Sequence, residues 1–261
     1  MLRGYPLAHE KRKPKPHWNP RPAQQAPGLW LYGIHAVRAA LENSRRKAHR
    51  LVATERAIEE LGRKVLGRVR HEVMSPDAIG KMLPPGSVHQ GVALNCEKLP
   101  GRALDEVLGP GTGKRRIVLV LDQITDPHNA GAILRSAAAF GVDAVVVQDR
   151  HAPPESGVLA KAASGALDTV PIATVVNIAR AMELLGEQNF WRVALAGDGD
   201  QSLREAVSTG DVALVLGSEG SGVRRLVRER CDTSAFIPIE SAIESLNVSN
   251  AAAVALYELR R

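Results

Sequence analysis

The sequence predicts an α/β protein, with a mostly parallel sheet over residues 116–261 and a smaller α/β unit over residues 29–98 before it. Three observations carry this reading. From Arg116 onward short apolar runs alternate with helical segments, the rhythm of repeated strand–helix units. Ile117-Val118-Leu119-Val120-Leu121 is apolar at every position, as expected of a strand covered on both faces. The charge also changes sign near residue 115. Residues 1–115 carry 21 basic against 10 acidic side chains, and residues 116–261 carry 13 against 18, within a net charge of +6. Halves of opposite sign suggest a polyanion-facing part joined to a part with another task.

Residues 1–28 hold six of the 16 prolines and six basic side chains against the single acid Glu10. So few apolar residues cannot offset the entropy of ordering, which predicts a flexible basic arm. Residues 33–41 place Ile34, Val37 and Leu41 on one helical face. Asn43-Ser44 ends that helix, and the basic cluster Arg45, Arg46, Lys47 and Arg50 follows. A strand is expected at 51–53, a helix at 57–69 and a strand at 88–95. Residues 99–115 are rich in Gly and Pro and read as a linker. Beyond it, strands are expected at 117–121, 144–147, 170–172, 191–196, 212–216 and 235–239. Helices are expected at 129–140, 178–185, 223–229 and 248–259.

Composition excludes several classes. No run of 18 apolar residues marks a membrane span, and the N-terminus lacks a signal-peptide core. Cys96 and Cys231 have no zinc or redox spacing, so no metal is expected, and two reduced thiols suit the cytoplasm. Aromatic residues make up 3%, too few for an RNA-binding sheet that stacks several bases. Gly111-Thr112-Gly113-Lys114 is followed by Arg115 where a phosphate loop needs Ser or Thr, so that reading fails.

In a parallel sheet, ligands gather beyond the carboxyl ends of the strands. Three loops there stand out. Residues 122–129 (DQITDPHN) lead into a helix containing Gly131 and Arg135. Residues 217–222 (GSEGSG) let backbone approach a ligand, but Glu219 argues against an anionic one, and the glycine spacing is not the dinucleotide fingerprint. Residues 245–250 (SLNVSN) hold four small polar residues where a helix cap needs one.

Together the segments DQITDPHNAGAILRSAAAFG (122–141), LVLGSEGSGVRRLV (214–227) and IPIESAIESLNVSNAAAVALYE (237–258) resemble the three signature motifs of the SpoU/TrmH family of RNA ribose 2′-O-methyltransferases. The segment near Gly33 (GIHAVRAAL) is similar to the small RNA-binding domain, related to ribosomal protein L30e, of the subgroup that methylates a guanosine of large-subunit ribosomal RNA. The resemblance implies a SPOUT catalytic domain with a C-terminal trefoil knot, an L30e-like domain before it, and a homodimer. It implies S-adenosylmethionine as cofactor, held at Ala196, Gly197, Gly217, Ile237, Ser245, Leu246 and Asn247. Arg135 would be central to catalysis, with Asn129, Glu219 and Asn247 orienting the ribose. A guanidinium gives up its proton only above about pH 12, so pairing with a substrate phosphate suits Arg135 better than acting as a base. The RNA contacts expected besides Arg135 are Arg45, Arg46, Lys47, Arg50 and the arm. Ribosomal RNA is favoured over transfer RNA as the partner; neither DNA nor membrane is expected. Ser241 stands where the family usually has Gly, and Glu240 and Glu244 add negative charge beside it. A non-catalytic RNA-binding protein on the same fold is the other class open at this point.

Overall fold

The computed structural model describes residues 28–62, 66–109, 113–207, 210–240 and 245–261. The expectations for Ser241, for Glu244 and for the arm at 1–28, Gly28 apart, therefore lie outside the described residues.

The N-terminal unit is a four-stranded sheet in the order β1-β4-β2-β3. Its strands are β1 (Leu29–Tyr32), β2 (Ala48–Ala53), β3 (His71–Val73) and β4 (Val92–Cys96), and its helices are α1 (Ile34–Glu42), α2 (Glu55–Leu61) and α3 (Pro76–Gly80). β4 runs antiparallel to both β1 and β2, and β2 pairs parallel with β3. Several boundaries differ from the sequence reading, and backbone sterics explain two of them. α2 stops at Leu61 because Gly62 takes φ 83° and ψ 151°, a non-helical conformation open to glycine without steric cost. β4 begins at Val92 because Gln90 and Gly91 have φ 55° and 76°, outside the extended region. α1 buries Ile34, Val37 and Leu41 as its periodicity predicts, but Ala36, Ala39 and Ala40 are buried too.

The second sheet has seven strands in the order β7-β6-β5-β10-β8-β11-β9, all parallel. They are β5 (Ile117–Leu121), β6 (Ala144–Gln148), β7 (Ile172–Val175), β8 (Trp191–Leu195), β9 (Gln201–Ser202), β10 (Val212–Leu216) and β11 (Thr233–Phe236). Alternate residues of β5 enter different core clusters: Ile117, Leu119 and Leu121 face one layer, Val118 and Val120 the other. The helices are α4 (Leu104–Val107), α5 (Pro127–Ala139), α6 (Gly157–Ala163), α7 (Ala166–Thr169), α8 (Ile178–Glu187), α9 (Leu203–Ala206), α10 (Arg225–Arg228) and α11 (Val248–Arg260). The chain runs outward from β5 through β6 to β7, returns to β8, and only later inserts β10 between β5 and β8. The carboxyl ends of β5, β10, β8 and β11 thus share one edge of the sheet.

Residues 99–109 do not run free between the two sheets. α4 buries Leu104 and Val107 in the cluster that holds Val118, Val120 and Met182, and Thr174 N donates to Arg102 O at 2.9 Å. One core cluster also runs from Leu31, Val37 and Leu41 into Leu159, Ala163 and Leu256. Arg46 sits across that junction. Its side chain is 0% exposed and pairs with Asp168 through two bonds of 3.0 Å and with Glu155. Burial alone would lower the Arg46 pKa, but the hydrogen bonds and charges of Asp168 and Glu155 outweigh it and raise the pKa above the ordinary guanidinium value. Arg46 is therefore not the surface cation the sequence reading expects. Its neighbours also have local partners: Arg45 donates to Pro100 O, Lys47 pairs with Glu97 at 3.4 Å, and Arg50 pairs with Glu72 at 2.7 Å. Among the described residues no helix is long and apolar enough to cross a membrane.

Candidate active site

Three loops that are far apart in sequence meet at the shared strand edge. Asp126 caps α5 by accepting from Asn129 N at 2.8 Å, which fixes Asn129 in the first turn. Asn247 caps α11: its Oδ1 accepts from Ser249 N at 2.9 Å. Both amide side chains then turn to one carboxylate. Asn129 Nδ2 donates to Glu219 Oε1 at 3.0 Å, and Asn247 Nδ2 donates to the same oxygen at 2.6 Å and to Asn129 Oδ1 at 2.9 Å. Glu219 sits beside the N-termini of two helices of 13 residues each, where a negative charge is stabilised. This placement accounts for a carboxylate within a glycine loop.

The backbone of residues 217–222 folds back on itself. Ser218 and Gly222 exchange two backbone hydrogen bonds, and a Cβ on Gly217 would overlap the backbone of Gly222 and Val223. Only glycine fits there. Beside this loop, Ala196 N donates to Ala235 O at 2.9 Å, which ties loop 196–200 to β11. Gly197, Glu219 and Ser245 are exposed, while Ala196, Gly217, Ile237 and Leu246 are half-buried. A Cβ on Gly197, Gly220 or Gly222 would meet nothing within 4 Å, so these loops present open backbone.

Asp122 is a site residue that the sequence reading did not single out. It is 0% exposed at the end of β5, and Arg224 binds it through Nε (2.7 Å) and backbone N (2.9 Å). Arg224 also donates to Gln148 at 2.9 Å. This pair locks the first motif loop to the second. The signal was present: an acid directly after a fully apolar strand is buried and needs a partner. Arg228 similarly holds Asp198 at 2.8 Å, and that hydrogen bond keeps the Asp198 carboxyl below its ordinary range.

Arg135 is placed elsewhere. α5 starts at Pro127, two residues before the expected helix start at 129, so Arg135 lies in its third turn. Six residues correspond to about 9 Å along the axis and about 120° of rotation from Asn129. Arg135 is exposed and lines a groove of about 270 Å³ with His35, Arg38 and Glu42 of α1. Among the described residues it makes no ion pair.

Residues 116–257 match the model of the SpoU rRNA Methylase family, and residues 30–101 match the model for RNA 2′-O ribose methyltransferase substrate binding. The chain belongs to the SpoU rRNA methylase family. As a SpoU enzyme it is an S-adenosylmethionine-dependent RNA 2′-O-methyltransferase. It is 38% identical over 245 residues to the 23S rRNA (guanosine-2′-O-)-methyltransferase RlmB of Escherichia coli (strain K12), covering 88% of this chain and 97% of that protein. The enzyme of the same name from Coxiella burnetii is 37% identical over 246 residues, covering 88% and 94%. Among solved structures, the SpoU methyltransferase AviRb of Streptomyces viridochromogenes in complex with AdoMet shares the fold at a TM-score of 0.74 and 23% identity, covering 88% of each chain. A TrmH-family protein from Porphyromonas gingivalis follows at 0.69 and 26%, again covering 88% of each chain.

The strand-edge loops of this SpoU chain suit that cofactor. A sulfonium is a cation, and the exposed Glu219 supplies a carboxylate at the edge, whereas Asp198 is already paired with Arg228. Ile237 and Leu246 offer apolar walls, and open backbone at 197 and 220–222 offers amide and carbonyl groups. Among the described residues no cluster of three His, Cys, Asp or Glu side chains could hold a metal ion.

Proposed function

We propose that this enzyme methylates the ribose 2′-hydroxyl of a guanosine in 23S ribosomal RNA. The observation that carries the reading is the convergence of Asn129, Glu219 and Asn247, one residue from each motif, on a single hydrogen-bonded site at the strand edge. The identity with RlmB, spread over nearly the whole length of both chains, supports the guanosine target.

When bound, S-adenosylmethionine supplies a methyl group already activated on a sulfonium sulfur. It would lie against Ala196, Gly197, Gly217, Ile237, Ser245, Leu246 and Asn247. The protein's task is then mostly positioning, which can supply a large share of a rate enhancement. Glu219, with both amides tied to one of its oxygens, is pre-set to accept a hydrogen bond from the ribose. Arg135, which lies on a different face of α5 from Asn129, holds the RNA by pairing with a substrate phosphate. The N-terminal unit, residues 29–98, holds the RNA, and residues 116–261 form the catalytic domain.

In this reading the segment after β11 is threaded as a trefoil knot. The late insertion of β10 between β5 and β8 is consistent with such a path. The enzyme works as a homodimer in the cytoplasm. Val254 and Tyr257, three residues apart and exposed on α11, offer an apolar stripe for the partner subunit.

The test is transfer of tritiated methyl from S-adenosylmethionine to a 23S rRNA transcript, with ribose methylation mapped at nucleotide resolution. One methylated guanosine is expected, with Arg135→Ala inactive but retaining cofactor affinity by calorimetry. Methylation of transfer RNA instead, or of a base, would overturn the assignment.

A further inference from the structure

The N-terminal unit is expected to hold RNA, yet the basic cluster at 45–50 is largely consumed: Arg46 is buried, and Lys47 and Arg50 are paired with acids. The Arg45 side chain bonds only a neutral carbonyl among the described residues, and a second place with guanidinium groups outside any ion pair is the groove between α1 and α5. His35, Arg38 and Glu42 line one wall; Arg135 stands on the other, and Ser164 and Thr169 add small hydroxyls. Arg38 donates to Glu60 O, a neutral carbonyl that leaves its charge uncancelled. Arg135 has no ion pair among the described residues, and Glu42 is the one acid lining the groove.

The groove is also built rigidly. A Cβ on Gly165 would lie 3.1 Å from both Ala39 Cβ and His35 O, so α1 and the start of α7 touch backbone to side chain. Asn43 donates to Asp168 O at 3.2 Å and Oδ1 at 3.0 Å, anchoring the C-terminal end of α1 to the same element. α1 is therefore held firmly against the floor of the groove. A phosphate-lined strand is the occupant whose charge matches uncancelled guanidinium groups over a small-residue floor.

We propose that the seam between α1 and α5 is an RNA-binding groove, in which His35 and Arg38 contact phosphates of nucleotides flanking the one that is methylated. This rests on the reading of the chain as an RNA 2′-O-methyltransferase and assigns its substrate contact to one face.

The test uses the full chain and a fluorescein-labelled 23S rRNA transcript, with Kd measured by anisotropy across a sodium chloride series. Arg38→Ala should weaken binding about tenfold at 0.15 M salt and lower the slope of log K against log salt by roughly 0.7–0.9, as expected for one lost phosphate contact. His35→Ala should weaken binding by about threefold, and Glu42→Gln should tighten it by about the same factor. Arg230→Ala, which removes an exposed cation paired with Glu183, should leave both readouts unchanged. Turnover at saturating RNA should stay within about twofold in Arg38→Ala, so that the loss falls on KM. Wild-type Kd and slope in both Arg38→Ala and Glu42→Gln would overturn the groove; Glu42 is exposed, so that variant is expected to fold. If the wild-type chain shows these binding effects but transfers no methyl, the groove stands and the enzymatic reading falls.

Discussion

Arg46→Ala tests how the two sheets are joined. The substitution leaves Asp168, whose side chain is 2% exposed, and Glu155, 14% exposed, facing each other without a cation. Removing one partner of a buried ion pair costs about 3–5 kcal/mol, because the charge left behind is desolvated and unpaired. The bond from Arg46 to Glu97 O is lost as well, at about 1 kcal/mol. At about 2 °C per kcal/mol for a chain of this size, the melting midpoint should fall by roughly 8–12 °C. Scanning calorimetry reads this directly. Replacing the set by neutral residues, Arg46→Met with Asp168→Asn and Glu155→Gln, should recover most of the loss, since the penalty comes from uncompensated charge. A midpoint within about 2 °C of wild type for Arg46→Ala would refute the reasoning.

Three further outcomes follow from the structure. Gly217→Ala forces a methyl into the backbone of Gly222 and Val223, so cofactor affinity measured by calorimetry should drop at least about tenfold; wild-type affinity would show the loop to be more pliant than its contacts imply. Burial pushes the thiols of Cys96 and Cys231 up to about 12, against an ordinary value of 9.0. The folded chain then holds protons that the unfolded chain releases, so this contribution is complete below about pH 9 and is lost as the pH rises through about 12. Urea midpoints should decline over that window, and less steeply in Cys96→Ala/Cys231→Ala. If the proposed homodimer forms through α11, Val254→Glu with Tyr257→Glu places two charges on its exposed stripe and should shift the wild-type dimer to monomer in sedimentation equilibrium; a wild-type monomer would refute the dimer, and a variant that stays dimeric would refute this interface.

The legible parts of the fold were those written in local chemistry. Ile117–Leu121 and Val212–Leu216 are continuous apolar runs, and the structure places strands on those residues. α6 and α7 were not visible, because runs such as GVLAKAA and ALDT are too short and too rich in small residues to show a periodicity. α4 was hidden by the Gly and Pro around it, although Leu104, Val107 and Leu108 keep helical spacing. Arg46 was misread because a charge cluster shows cations and not their partners, which here lie 122 and 109 residues away. The site shows the same limit. Loop composition marked Glu219 and the 245–250 segment as unusual, but no local rule could bring Asn129, Glu219 and Asn247 to one oxygen. Only the motif resemblance grouped them, and it also grouped Arg135, which lies on a different face of α5.

The position of β10 has a consequence during synthesis. Val212 pairs with Ile117 on one side and with Trp191 on the other, so the middle of the sheet is made about 95 residues after its neighbour β5. β7 ends at Val175, 37 residues before Val212, so at about 5–20 residues per second a nascent chain spends roughly 2–7 s with β7, β6 and β5 made but no strand to join them to β8. During that interval the open flank of β5 is an unpaired apolar edge. A ribosome stalled before residue 212 would hold a half-sheet with an adhesive border, a ready target for chaperones or for another unfinished copy.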